Sequence, residues 1–100
     1  MTAEKVRDVL AIYRKKFEEL GVVKGEFQSD QIFYPLFSQS NILAHCNWML
    51  DEMERFLDKG RMDKVFRWLG FIQGCLWSTG IYSITEMKDH NRQDPDSFNP

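Results

Sequence analysis

One hundred residues with a formal net charge of −2 fit a single domain with one modest core. Charges of both signs are interspersed, so there is no basic footprint of the kind nucleic-acid binding needs, and no nucleic-acid partner is expected. Aromatic residues make up 14% of the chain, and bulky rings must therefore supply much of the core.

The predicted elements run as follows. Thr2 can cap a first helix that continues to about Leu20, with Val6, Val9, Leu10, Tyr13, Phe17 and Leu20 as its apolar stripe and Gly21 as its stop. Its charged residues, among them Arg7 and Arg14, read as a solvated face. From Val22 to Gln39 the pattern breaks: Lys24-Gly25 signals a turn, and Phe27, Phe33, Tyr34 and Phe37 crowd into the segment that follows. A short helix over 30–34 or a hairpin at Lys24-Gly25 would each accommodate it. These rings are expected to plug the open end of the bundle, with an exposed recognition loop as the other use.

Ser40 or Asn41 opens the second long helix, which ends near Lys59-Gly60. Ile42, Cys46, Met49, Met53, Phe56 and Leu57 form its core stripe; His45, Trp48, Glu52 and Arg55 lie on a more polar stripe beside it. The next helix, over 62–77, is the most apolar stretch of the chain and is expected to be its centre. Val65, Leu69, Ile72 and Leu76 recur at helical spacing, widened by Trp68 and Cys75 and flanked by Phe66 and Phe71. The link through Gly60 is short, so these two helices should form an antiparallel hairpin. Ideal pairing sets Cys46 opposite Cys75 and Met49 opposite Ile72. Ser83-Ile84-Thr85-Glu86 is a capping box, which predicts a short fourth helix over Ile84–Asn91 with Ile84 and Met87 packed back on the hairpin. The fold expected is an all-α bundle of three main helices and a short fourth over residues 1–92, with a polar tail over 93–100.

A second stripe on the central helix carries Asp63, Arg67, Gly70, Gly74 and Ser78. Two interior helical glycines cost about 1 kcal/mol each against alanine, so a compensating use is expected. Close approach of another helix is one use. A groove beside Arg67 is the other, with Arg67, Gly70, Gln73, Gly74, His45, Trp48 and Glu52 as its binding residues. An arginine buried on this stripe calls for a partner, either Glu52 or Asp63.

Signals for chemistry are sparse. Cys46, Cys75, His45 and His90 show no C-x-x-C or H-x-x-x-H spacing, and no metal or other cofactor is expected. Cys46 beside His45 does not make a nucleophile and base, because adjacent helical residues point about 100° apart. No phosphate loop, nucleophile elbow or carboxylate cluster is present, so the reading is of a protein that is not an enzyme. The apolar run over 62–77 is short of the ~20 residues that span a bilayer, and Arg67 and Gln73 interrupt it. The first residues lack the charged-then-apolar pattern of a secretory signal, which leads to the expectation of a cytoplasmic location with two reduced thiols.

The sequence WML, then RWLGFIQGCLW, then ITEMKDHNR resembles small proteins encoded by tailed phages and prophages that share an RWLGF-x-QG core. The resemblance spans about 41–92, and Arg67, Trp68, Gly70, Gln73, Gly74, His90, Asn91 and Arg92 carry it. It implies a setting, the cytoplasm of an infected bacterium, and no catalytic activity.

Two function classes follow. One is an accessory protein acting by protein–protein interaction, as a homodimer or on a host or phage protein. The other is a small-ligand module, for a nucleotide among other candidates, with its pocket over the glycine stripe.

Overall fold

The computed structural model describes residues 1–26 and 38–92. Among them are four helices and no strand: α1 (Ala3–Leu20), α2 (Gln39–Asp58), α3 (Met62–Ser78) and α4 (Ile84–Asn91). The all-α bundle expected from the sequence is the one formed. No helix among the described residues is long and apolar enough to cross a membrane. The rings Phe27, Phe33, Tyr34 and Phe37, and the tail over 93–100, lie outside the described residues.

α1 is set at both ends by local chemistry. The Thr2 hydroxyl accepts the Lys5 N–H at 3.1 Å. At the other end Gly21 takes φ 69°, a left-handed conformation that carries a steric penalty for residues with a Cβ. Val6, Val9, Leu10, Tyr13 and Phe17 are fully buried, whereas Leu20, on the same stripe, is exposed.

α2 begins earlier than its sequence suggests. The cap is Ser38, whose hydroxyl accepts the Asn41 N–H at 3.2 Å, rather than Ser40 or Asn41. Several residues here can cap, and the earliest adds most of a turn ahead of buried Leu43 and Ala44. Among the described residues no strand is present beside Lys24-Gly25, and the rest of this segment lies outside them. Its described part lies along α2, with the Gly25 N–H donating to the Ala44 carbonyl and the Asn47 amide donating to the Val22 carbonyl.

α2, not α3, is the shared element of the bundle. It packs against both α1 and α3. Cys46, Met49, Met53 and Leu57 are buried as expected, but so are Leu43 and Leu50, which with Leu57 form a second stripe at seven-residue spacing. Next to that stripe, Arg7 and Arg14 of α1 reach Asp51, Glu54 and Asp58 of α2 at 3.0–3.7 Å, and Lys24 reaches Asp51 at 3.0 Å. The face of α1 read as merely solvated is thus an ion-pair ladder, and it fixes an antiparallel register. Burial alone would raise the Asp51 carboxyl; hydrogen bonds from Lys24 and Arg14, together with their charge, outweigh burial and hold it below its ordinary value.

α3 buries Val65, Leu69, Ile72 and Leu76, as expected. Since only one side of it meets the bundle, it is an edge helix. α4 has both bonds of its capping box: the Glu86 carboxylate accepts the Ser83 N–H at 3.0 Å and the Ser83 hydroxyl accepts the Glu86 N–H at 3.1 Å. It packs chiefly on α1 rather than on the hairpin, through buried Met87, and leaves Ile84 exposed.

Candidate interaction surface

The residues singled out by sequence fall in three separate places. The first is the outer face of α3. Gly70 and Gly74 are exposed, and a Cβ built on either meets nothing within 4 Å. Close approach by another helix among the described residues therefore does not explain them. Arg67 is not buried either: its side chain is 69% exposed and faces Asp63 at 3.9 Å within the same helix. Glu52 pairs instead with Arg55 at 3.3 Å on its own helix, so the cross-hairpin pair of Glu52 and Arg67 does not form. The reason is angular. The buried positions of α3 centre on Ile72 and Leu76, and Arg67, Gly70 and Gly74 lie on the opposite side of a helix with one packed face.

Rings flank this bare backbone. Phe66, Phe71 and Trp77 are 43%, 53% and 56% exposed. At 100° per residue, Phe66 and Trp77 rise on one side of the glycines and Phe71 on the other. The result is a shallow trough with a backbone floor and aromatic walls. Trp77 was not marked out by the sequence, because an apolar residue at the end of an apolar helix reads as core. The only signal available was its angle, which matches Phe66 rather than Leu76.

The second place is the seam of the hairpin, away from α1. His45 and Trp48 lie 5.4 Å apart between ring centroids, Trp48 and Trp68 6.1 Å, and Phe56 meets Trp68 edge-on at 4.9 Å. Lys64 covers Phe56 at 4.9 Å, and Phe71 joins His45 at 6.4 Å. These half-buried rings pack on one another as a ladder. The seam also contains the two thiols. Cys46 and Cys75 are free and interact, as the antiparallel register predicted. The hydrogen bond with Cys75, reinforced by burial, pushes the Cys46 thiol up; the same bond pulls the half-buried Cys75 down against its own burial. Iodoacetamide should therefore alkylate Cys75 first, with Cys46 following only on unfolding. Peptide mass mapping over a time course checks this, and equal rates in the folded protein would contradict it.

The third place is a polar hub between α1, α3 and α4. Gln73, expected on the glycine trough, is turned inward. Its Nε2 donates to the Tyr13 hydroxyl at 2.9 Å and to Asn91 Oδ1 at 2.7 Å, and Asn91 Nδ2 donates back to Gln73 Oε1 at 3.1 Å. The Tyr13 oxygen also lies 3.1 Å from His90 Nδ1. Burial pushes the Tyr13 hydroxyl up to about 12, with the Gln73 bond opposing and Tyr82 adding, so it keeps its proton. With its proton retained and its oxygen accepting from Gln73, the Tyr13 hydroxyl can donate to His90 Nδ1 when His90 is neutral with its proton on Nε2. Tyr82 packs edge-on against His90 at 4.6 Å. Gln73 of α3, Tyr13 of α1 and His90 and Asn91 of α4 thus join three helices.

His45, Trp48 and Glu52 are thus in or beside the seam, Gln73 is in the hub, and Arg67, Gly70 and Gly74 share the trough. The structure does not gather them into one pocket. Among the described residues there is also no group of three side chains able to hold a metal ion. Neither a family model, nor a curated protein, nor a solved structure matches this chain.

Proposed function

We propose that the chain is a protein-interaction module that docks a partner on the outer face of α3. One observation carries this reading: three large rings, each about half exposed, stand around two glycines where an added Cβ would meet no described atom within 4 Å. Contiguous exposed apolar surface is costly to leave in water, and when it is this organised it usually serves as an interface. Aromatic residues are also the side chains that most often dominate such contacts. The resemblance to phage and prophage proteins supports a setting in an infected bacterial cytoplasm, where the partner would be a host or phage protein or another copy of the chain. No chemistry is assigned to the surface.

The test is capture of partners by immobilised protein. Trp77→Ser and Phe71→Ser should each weaken binding at least about tenfold, the size expected for truncating a central aromatic contact. Melting should change little for Trp77→Ser and Arg67→Met, both more than half exposed, and somewhat more for Phe71→Ser, which also gives up its edge contact with His45. Capture indifferent to Trp77→Ser and Phe71→Ser would remove α3 from consideration.

A further inference from the structure

Resting on that reading of the α3 face, we infer that its occupant is a second copy of the same face, crossing antiparallel about a two-fold axis near Ile72. The face is self-complementary in this direction and no other. An antiparallel two-fold brings together positions whose numbers sum to about 144 and keeps each side of the helix with the same side of its copy. Phe66 and Trp77 lie on one side, eleven residues apart, so Phe66 of each copy meets Trp77 of the other. On the far side Phe71 meets its own copy across the axis, and Arg67 reaches the Ser78 hydroxyl. Gly70 lies over Gly74, where the absence of side chains lets the two backbones approach and the rings close around them.

Charge selects the same direction. A parallel pair would set Asp63 against Asp63 and Arg67 beside Arg67. The antiparallel pair separates the two arginines by about 15 Å and the two aspartates by about 27 Å along the helix axis. It also matches ring with ring, whereas the parallel pair places Phe66 against Arg67 and leaves Trp77 without an aromatic partner. Three half-exposed rings offer about 300 Å² per copy, so about 600 Å² of aromatic surface would leave water when two copies meet, with the exposed backbone between the rings adding to it.

Sedimentation equilibrium of four chains tests this. Wild type should be a dimer at high micromolar concentration. Phe66→Glu alone and Trp77→Lys alone should each be monomeric, with unchanged helicity and melting of the monomer. The double variant Phe66→Glu/Trp77→Lys should regain the dimer, because each new carboxylate then lies opposite a new ammonium of the other copy. Within one helix the two positions are about 16 Å apart and cannot pair. A double variant that stays monomeric overturns the antiparallel pairing, and single variants that stay dimeric overturn the face. A monomeric wild type overturns the second copy as occupant. If that monomer still captures a partner in a manner sensitive to Trp77→Ser, the α3 reading stands; if capture is insensitive as well, both fall.

Discussion

Leu50→Ala should remove about 3 kcal/mol of stability and lower the melting temperature by about 15 °C. Leu50 is fully buried on α2, on the stripe that looks toward α1 and its ion-pair ladder. Deleting three carbons there forfeits their transfer energy and leaves a void that α1 and α2 cannot readily close, because Arg7 and Arg14 hold the two helices in register. In a domain whose whole stability is about 5–15 kcal/mol, this is a large share. Ile84→Ala is the control: its side chain is half in water and its loss should change stability by about 0.5 kcal/mol or less. Urea denaturation of the three chains decides the matter. A loss below about 1 kcal/mol for Leu50→Ala would contradict the place given to α2 at the centre of the bundle.

Tyr13→Phe should cost about 2 kcal/mol and blunt the response of stability to acid. The ring would still fill its buried place, but Gln73 would lose an acceptor and His90 Nδ1 its donor. The pH dependence follows from His90. Burial lowers its pKa from 6.5, the carboxylates of Glu86 and Asp89 oppose that shift, and Lys5 reinforces it. The folded protein thus binds this proton less readily than the unfolded chain. The stabilising contribution is complete above pH 6.5 and is lost as pH falls through the lower folded value. A protonated Nδ1 would also turn a donor toward an oxygen that already accepts from Gln73. Melting of wild type from pH 7.5 to 5 should therefore fall more steeply than that of Tyr13→Phe, in which this hydrogen bond is already gone. Parallel curves would show that the bond between Tyr13 and His90 is not what couples the fold to pH.

Periodicity and caps made most of the fold legible. Thr2, Gly21 and the Ser83–Glu86 box act through bonds local to a single turn, and such bonds are written in neighbouring residues. The antiparallel register that brings Cys46 to Cys75 was legible for a similar reason: a short link leaves a hairpin little freedom. What could not be read was which side of each helix would find a neighbour. Leu43 and Leu50 form a second apolar stripe on α2 whose meaning depends on α1 arriving from far along the chain. Arg67 was read as buried because its helix is apolar, yet a helix at the edge of a bundle can be apolar and still show one face to water. Gln73 and His90 met the same obstacle, since their partners lie on other helices. Of the candidate surface, the glycine pair was visible as an oddity; the rings beside it became informative only once the packed side was known.

The hub also has a consequence for the order in which the protein becomes complete. Tyr13 and His90 are separated by 77 positions, so the chain must extend through α4 before this bond can form. The α2–α3 hairpin needs only neighbouring sequence and can assemble early, whereas the docking of α4 on α1 closes a much longer loop. α1 and α4 are therefore completed together. A chain released before Asn91 would carry a tyrosine buried in its first helix with part of its hydrogen bonding unmet. Damage at the end of the sequence would be felt at its beginning.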